Sequence, residues 1–242
     1  MIKLTHLTKK FGSQTAVDDL NLEINAGELF AFLGPNGAGK TTTIKMMTGI
    51  LRPTSGNVEI AGLDIQEKPQ QAKMKIGYVP DTPYLYDRLT AREYLEFVGG
   101  LYNLETEQIR RRSLELFQLF DMNGWADRKC EQYSHGMRQK VVFGAAMIHR
   151  PAVLVVDEPL VGLDPHSARL VKDMLTEYTA EGNTVFVSTH ILSVAEELCN
   201  RVAIINKGKL IAMGSLPQLK AMADSSDANL EKLFLKLIGQ PD

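Results

Sequence analysis

Cysteine is scarce in this sequence: only Cys130 and Cys199 occur in 242 residues, far apart along the chain. Neither belongs to the closely spaced pairs that bind zinc or carry out thiol–disulfide chemistry. Two separate thiols are typical of a protein that works in a reducing compartment. The cysteines therefore favour neither a disulfide scaffold nor a cysteine-bound metal centre.

Long apolar runs and a strong charge imbalance are also missing. Apolar stretches such as "AVLVV" (152–156) are far shorter than the roughly 20 residues that span a bilayer. The first segment, "MIKLTHLTKKFG", lacks the apolar core of a signal peptide. We expect a protein that does not cross a membrane by itself. The net charge of −2 argues against a broad basic face, so we also expect no nucleic-acid partner.

Strand and helix signals alternate over most of the chain. Runs such as "LFAFL", "VLVV" and "VFVS" predict strands that are buried on both faces. Segments with helical spacing stand between them, which predicts a parallel sheet with right-handed crossovers. From 81 to 150 the strand signal stops and helical patterns follow one another. The sequence therefore predicts an α/β core, formed by residues 1–80 and 151–214, with a helical sub-domain inserted at 81–150.

Residues 215–242 form a C-terminal helical tail in this prediction. After a polar break, Leu230, Leu233, Phe234 and Leu237 lie on one helical face. We expect this face to dock on the body of the protein. A surface for a second copy or a regulator is the alternative.

The segment "GPNGAGKTT" (34–42) stands between a predicted strand and a predicted helix. Its glycines let several backbone N–H groups approach one anion, and the following helix adds its positive N-terminal end. The spacing is that of the phosphate-binding loop, in which Lys40 reaches the outer phosphates and the Thr41 hydroxyl ligates Mg²⁺. A glycine-rich turn that happens to precede a lysine is the alternative. The predicted nucleotide contacts of this loop are Asn36, Gly37, Ala38, Gly39, Lys40, Thr41 and Thr42.

Two further strand ends carry side chains that suit the same chemistry. Asp157 and Glu158 follow the strand "VLVV", and His190 follows "VFVST". Because the carboxyl ends of parallel strands open onto one crevice, we expect these groups beside the phosphates. There Asp157 would orient Mg²⁺, Glu158 would polarise the attacking water, and His190 would contact the γ-phosphate. A purely structural histidine is the alternative for His190.

In this order the motifs resemble those of the ATP-binding subunit of ABC transporters: "GPNGAGKTT", a helical insert, "YSHGMRQK", "VLVVDEP", "VGLDP" and "STH". The resemblance covers residues 1 to about 214. It implies an α/β fold of the ABC-type P-loop NTPase, with a mixed or parallel core sheet, a small antiparallel β sub-domain and the helical insert. It also implies ATP and Mg²⁺ as ligands and a nucleotide-dependent, head-to-tail homodimer. A separate membrane permease would then hold this cytoplasmic chain on the inner face of the cell membrane.

The resemblance also assigns roles to four residues outside the phosphate loop. Ser134, His135 and Gly136 lie in the signature, which in the family holds the γ-phosphate of ATP bound to the other copy. Capping of the helix that follows would by itself explain Ser134. Asp164 matches the loop that contacts the second subunit.

Some positions depart from the usual family pattern. A glutamine is usual where Asp81 follows "IGYVP". A carboxylate there still suits Mg²⁺ but is repelled by the γ-phosphate, so we expect catalysis that is slower or more dependent on a partner. The signature has Tyr133, His135 and Met137 where Leu, Gly and Gln are usual, and His135 places a bulky side chain at a glycine position.

Aromatic residues mark two other contacts that the resemblance implies. Phe11 matches the ring that stacks on adenine, with Val17 nearby; a core position for Phe11 is the alternative. Tyr84 and Tyr86 fall in the region that would receive a short cytoplasmic helix of the permease, and tyrosine is enriched at interfaces. We expect Phe97 to pack within the helical insert.

We therefore predict an ATP-hydrolysing subunit that drives transport of an unknown substrate through a separate permease. A soluble ABC-type ATPase that acts in assembly or regulation without a permease is the alternative. A GTPase is disfavoured, because Lys209 in "INKGK" stands where the guanine-reading motif needs an acidic residue. A regulatory subunit with poor turnover is disfavoured because Lys40 and Glu158 are both present.

Overall fold

A computed structural model of the chain describes residues 1–222 and 234–235. The strands of this part are β1 (Ile2–Phe11), β2 (Gln14–Ile24), β3 (Leu29–Leu33), β4 (Ser55–Ile60), β5 (Leu63–Asp64), β6 (Ile76–Val79), β7 (Val153–Asp157), β8 (Thr184–Thr189), β9 (Arg201–Asn206) and β10 (Lys209–Ser215). Its α-helices are α1 (Lys40–Met47), α2 (Pro69–Lys73), α3 (Ala91–Leu101), α4 (Thr106–Leu119), α5 (His135–Met147), α6 (Pro165–Ala180), α7 (Leu192–Leu198) and α8 (Leu216–Ala221).

Six strands form the central sheet, in the order β10-β9-β3-β8-β7-β6. The five strands from β9 to β6 are parallel, and β10 is antiparallel to β9. The predicted parallel sheet is therefore confirmed, with an antiparallel strand at one edge. Because β3, β8 and β7 are neighbours, their carboxyl ends, which carry the predicted phosphate and metal residues, open onto the same crevice.

The central sheet is covered on both faces, which explains the unbroken apolar runs of its inner strands. In β3, Ala31 and Leu33 belong to the apolar core beneath the helices. Phe30 and Phe32, which alternate with them, belong to a second core that lies beneath a smaller antiparallel sheet. All five residues of β3 are buried.

A smaller antiparallel sheet has the order β2-β1-β4-β5. β1 and β2 continue through the polar segment "KKFGSQTAVDD" to a tight hairpin at Gly12 and Ser13. The pairing of β1 with β2 contains register shifts. Near them His6 and Asp19 have φ angles of 49° and 50°. These irregularities break the period-2 pattern that reveals a strand.

Three longer helices, α3, α4 and α5, lie between β6 and β7 along the chain. The segment after Asp81 is helical as predicted, and one turn of 3₁₀ helix (Cys130–Gln132) precedes α5. The short elements β5 and α2 were not predicted. Both are too short for hydrophobic periodicity to stand out from the surrounding loops.

Part of the predicted C-terminal tail lies outside the described residues, including Leu230, Leu233 and Leu237. Within the described part, α8 follows β10 and buries Leu219. Phe234 is half-buried and packs against the core beneath the helices. No helix in the described part of the chain is both long and apolar enough to cross a membrane.

Candidate functional site

The loop between β3 and α1 requires glycine at two positions for lack of space. A Cβ atom on Gly34 would lie 2.4 Å from the carbonyl oxygen of Ile205. Gly39 has a φ of 107°, and a Cβ there would lie 2.6 Å from the carbonyl oxygen of Ala16. The loop is thus held against β9 and β2 at a distance that only glycine allows.

Lys40 begins α1 and is folded onto this loop. Its Nζ donates to the carbonyl oxygens of Gly34 (2.8 Å) and Pro35 (3.3 Å) and lies 3.8 Å from Oε1 of Glu158. The side chain is 7% exposed. Burial lowers the pKa of Lys40, and the charges of Glu158 and Asp157 oppose that shift. The lysine is therefore held at the mouth of the loop, beside the carboxylates that end β7.

Asp157 links the ends of three elements. Its Oδ1 accepts a hydrogen bond from the Ser188 hydroxyl of β8 (2.7 Å), and its Oδ2 accepts one from the Thr41 hydroxyl of α1 (3.3 Å). The residue is buried. Burial raises the pKa of Asp157, and the charges of Asp81 and Glu158 raise it further, while the Ser188 and Thr41 hydrogen bonds lower it. The carboxylate is buried and oriented by two hydroxyls, an arrangement that suits a metal ion.

Glu158 adopts a φ of 50°, which is uncommon for a residue with a side chain. Its Oε1 lies 2.7 Å from Nδ1 of His190, and its Oε2 accepts a hydrogen bond from the Thr189 hydroxyl (3.1 Å). The backbone N–H of Glu158 donates to the Ser188 carbonyl (2.9 Å). Thr189 of β8 and the adjoining His190 therefore hold the Glu158 side chain, whose Oε1 lies 3.8 Å from Nζ of Lys40. Strained backbone held in this way is frequent at functional sites.

These groups border one cavity of about 560 Å³. Ten of the predicted residues line it: Phe11, Asn36, Gly37, Gly39, Lys40, Thr41, Thr42, Asp81, Asp157 and Glu158. Its volume falls within the range of ordinary small-ligand pockets. The structure therefore brings the phosphate loop, Asp157, Glu158 and Asp81 together at one cavity.

Three of the residues predicted for the nucleotide and catalytic site do not line the cavity. Val17, predicted beside the nucleotide, is fully buried in the core beneath the small sheet, whereas its neighbours Thr15 and Ala16 line the cavity. Ala38 is buried, and its N–H donates to the Pro35 carbonyl (3.2 Å). His190 is outside the lining and is joined to the site through Glu158.

Five lining residues were not predicted: Gln14, Thr15, Ala16, Pro35 and Lys207. Lys207 belongs to the turn between β9 and β10, which lies against the loop because the Gly208 N–H donates to the Ala38 carbonyl (2.9 Å). The Asp18 N–H donates to the Gly208 carbonyl (2.9 Å). The "NKG" sequence indicates a turn but not the segment against which that turn packs.

The signature residues lie away from the cavity. The Ser134 hydroxyl accepts a hydrogen bond from the Met137 N–H (3.3 Å) and caps α5. The His135 ring lies against Gly162, since a Cβ there would be 3.0 Å from Nε2. A Cβ on Gly136 would lie 3.9 Å from Oδ2 of Asp164. The signature and the "VGLDP" loop therefore form one continuous patch on this copy.

Asp164 is fixed at the start of α6. Its Oδ1 accepts hydrogen bonds from the N–H groups of His166 and Ser167, both at 3.0 Å. Hydrogen bonds from the Ser167 side chain and backbone lower the pKa of Asp164 to about 2. The residue is therefore an ionised helix cap at neutral pH, in addition to the contact predicted for it.

An aromatic face lies after Asp81 and on α3; it consists of Tyr84, Tyr86, Tyr94 and Phe97. Tyr86 is in ring contact with Tyr84, Tyr94 and Phe97, with centroids 5.8–6.2 Å apart. Tyr84 is 76% exposed and Phe97 45% exposed. Packing within the helical insert was predicted for Phe97; its ring contacts Tyr86 but is also partly exposed, so it belongs to this face. The helical spacing of Phe97 predicts which side of α3 it occupies, but not whether another element buries that side.

The family model described as "ABC transporter" matches residues 17–161 of the chain. The chain belongs to the ABC transporter family. It is 37% identical to the linearmycin resistance ATP-binding protein LnrL of Bacillus subtilis, over 90% of this chain and 70% of LnrL. It is 36% identical to the ABC transporter ATP-binding protein NatA of the same organism, over 95% of each chain. The probable multidrug ABC transporter ATP-binding protein YbhF of Escherichia coli is 35% identical over 98% of this chain, which spans 42% of YbhF.

Solved ABC structures have the same fold. A structure described as the ATP-binding subunit of an ABC transporter superposes with a TM-score of 0.92 at 31% identity, covering 98% of this chain and 99% of that one. An ATP-binding cassette in a dimeric, post-hydrolysis state with ADP and Pi superposes with a TM-score of 0.82 at 28% identity, covering 89% of this chain and 99% of that one. The predicted α/β fold of the ABC-type P-loop NTPase is confirmed.

Proposed function

We propose that this chain is the ATP-binding and ATP-hydrolysing subunit of an ABC transporter. It works as a head-to-tail homodimer and powers transport through a separate membrane permease. The observation that carries the proposal is the convergence of Lys40, Asp157 and Glu158 at one cavity, at the carboxyl ends of neighbouring parallel strands.

The phosphate loop supplies the binding energy for the triphosphate. Lys40 already donates to two carbonyls of the loop, so its ammonium group exchanges these contacts for phosphate oxygens when ATP binds. Phe11 is 50% exposed at the cavity wall and offers its ring face to the adenine base. The exposure supports the stacking role of Phe11 over a core position.

Three residues from the ends of different elements, Thr41 of α1, Asp157 of β7 and Asp81 after β6, fit a magnesium ion. Thr41, Asp157 and Asp81 offer only oxygen atoms, the ligands that Mg²⁺ prefers. Among residues 1–222 and 234–235, no three His, Cys, Asp or Glu side chains are arranged to hold a metal by themselves. This agrees with a site completed by water and substrate phosphates. When bound, Mg²⁺ neutralises charge on the β- and γ-phosphates.

Glu158 is proposed as the residue that polarises the attacking water. Its Oε2 accepts a hydrogen bond from Thr189 and its Oε1 contacts His190, so the carboxylate is held in one orientation. His190 is proposed to sense the γ-phosphate from beside Glu158. The exposed position of its ring supports a contact that forms only when nucleotide or a second copy is present.

A homodimer is supported by the position of the signature. Ser134, His135, Gly136 and Asp164 lie outside the cavity of their own copy, so they reach a nucleotide only on another copy. A related cassette is described as a dimer bound to ADP and Pi. We propose the same arrangement for this chain, with two nucleotides bound between two copies.

The permease is proposed to dock on the aromatic face. Exposed tyrosines are enriched at protein interfaces, and this face follows directly on Asp81, which lines the cavity. Relatives named as resistance and multidrug-transporter ATP-binding proteins support a role in export. Co-purification with a multi-span protein from the membrane fraction supports the permease. Recovery of the chain only in the soluble fraction, without such a partner, supports the permease-free alternative.

Turnover of Mg·ATP by the purified chain tests the proposal. Lys40→Ala should abolish nucleotide capture, whereas Glu158→Gln should keep capture and lower turnover by about a hundredfold or more. Lys45→Ala, which removes an exposed lysine from the same helix, is the matched control and should leave both properties unchanged. Equal nucleotide affinity in the Lys40 and Lys45 variants would contradict the proposed phosphate site.

A further inference from the structure

The first turn of α3 is held by the segment that leads into the signature. A helix leaves its first four N–H groups without partners in the helix. The Ala91 N–H donates to the Tyr133 hydroxyl (3.1 Å), and the Arg92 N–H donates to the Ala126 carbonyl (3.3 Å). The Glu93 N–H donates to the Thr90 hydroxyl in a capping box. Two of the helix-start donors are therefore satisfied by residues 126–133 rather than by α3 itself.

Tyr133 is the centre of this junction. It is 6% exposed, and its hydroxyl donates to the Arg128 carbonyl (2.7 Å) while it accepts from Ala91. Its ring packs edge-on against Trp125, with centroids 5.0 Å apart. The hydroxyl is therefore engaged both as a donor and as an acceptor. The residue that follows Tyr133 is Ser134 of the signature.

A second set of contacts joins the same two segments. The Cys130 N–H donates to the Leu89 carbonyl (2.8 Å), and the Glu131 N–H donates to the Asp87 carbonyl (3.1 Å). Arg138 of α5 also pairs with the Asp87 carboxylate at 3.0 Å. Residues 87–91 therefore lie beside residues 129–133 in a short ladder. Because the two segments run antiparallel, Tyr84 and Tyr86 of the aromatic face precede the same end of this ladder that leads into the signature.

We propose that Tyr133 is a positioning residue for the signature. Its hydroxyl fixes Ser134 relative to the first turn of α3, so the aromatic face and the signature move as one body. The inference rests on the proposed function, because it assigns a partner-binding role to the face and a nucleotide contact to Ser134. The inference adds that Tyr133 links partner binding at the aromatic face to the position of Ser134.

Removal of the hydroxyl affects only the steps that need two copies. The Ala91 N–H and the Arg128 carbonyl lose their partner, and Ser134 loses its fixed distance from α3. Neither Tyr133 nor Ser134 lines the cavity of its own copy, so capture of ATP by one chain does not depend on this bond.

Tyr133→Phe tests the inference, with Tyr178→Phe as the matched control. Tyr178 is also 6% exposed, and its hydroxyl also donates to a backbone carbonyl, that of Pro151. Both substitutions are placed in the full chain with Glu158→Gln, which suppresses hydrolysis. ATP-dependent dimerisation is followed by light scattering, and ATP affinity is measured by calorimetry at concentrations that keep the chain monomeric.

We expect Tyr133→Phe, which removes the hydrogen bonds to Ala91 and Arg128 in each copy, to weaken the ATP-dependent dimer by about tenfold and to leave ATP affinity within about twofold. Tyr178→Phe should change neither. Amide exchange should also become faster at Ala91 in the Tyr133 variant alone, which reports directly on the junction.

Three results would overturn the inference: dimerisation that is equal in the two tyrosine variants, ATP affinity that falls together with dimerisation, or unchanged exchange at Ala91. The proposed function fails separately, if Glu158→Gln by itself forms no dimer with ATP.

Discussion

His149 provides a quantitative test of how the helical insert is joined to the core. Its Nε2 lies 3.1 Å from the carbonyl oxygen of Ile76 in β6, and its ring stacks on Tyr102 with centroids 3.5 Å apart. Because a carbonyl only accepts, Nε2 carries the hydrogen of a neutral imidazole. Burial lowers the pKa of His149 from 6.5 to about 4, and the hydrogen bond to Ile76 opposes that shift.

The sign of the pH effect follows from this shift. Between pH 6.5 and about 4 the unfolded chain binds a proton that the folded chain does not, so acidification destabilises the fold in this window. At 1.36 kcal/mol per pKa unit, the free energy of unfolding falls by about 2 kcal/mol between pH 7 and pH 5 through this residue. Below the folded-state pKa the contribution no longer changes.

The assay is denaturant unfolding of the wild type and of His149→Phe at several pH values. Phenylalanine preserves the stacking on Tyr102 but does not titrate. Both proteins contain the same carboxylates, so the contribution of these groups to the pH dependence cancels in the difference between the two unfolding free energies. We expect this difference to change by about 2 kcal/mol in favour of the variant as the pH falls from 7 to 5. A difference that is constant with pH, or a histidine titration by NMR with its midpoint near 6.5, would refute the reasoning.

Three further predictions concern the cavity. Asp81→Gln should raise basal or partner-stimulated ATP turnover, because it removes a negative charge facing the γ-phosphate; equal rates would eliminate this role. Gly39→Ala should weaken ATP binding by about tenfold or more, since its Cβ meets the Ala16 carbonyl at 2.6 Å, whereas Gly62→Ala, with a similar positive φ but open space, should bind normally. Phe11→Ala should lose about 1–3 kcal/mol of ATP affinity by calorimetry, and an unchanged affinity would remove the ring from the adenine site.

The sequence predicted those parts of the site in which ligand-binding or catalytic side chains directly follow a buried strand. "GPNGAGKTT", "VVDEP" and "STH" each combine a buried strand with polar residues at its carboxyl end, and parallel pairing forces the three ends together. Spacing within one segment is enough to recognise such a motif. The contact between Glu158 and His190 follows from the adjacency of β7 and β8.

Other parts depend on contacts between distant segments, which no local pattern reports. Lys207 reaches the cavity only because its turn bonds to the phosphate loop. Val17 and Ala16 differ by one position in β2, and the register shifts in β1 and β2 decide which of them faces the cavity. Tyr133 was noted only as a departure from the signature. Its bond to Ala91 spans 42 residues and is visible only in the folded chain.

The most direct test of the central claim is the mass of the Glu158→Gln protein in solution as Mg·ATP is added. A phosphate site on one copy that is completed by the signature of another predicts a monomer without nucleotide and a dimer with ATP. The same protein with Lys40→Ala should stay monomeric. A monomer at saturating Mg·ATP, or a dimer that forms equally well without Lys40, would contradict the account.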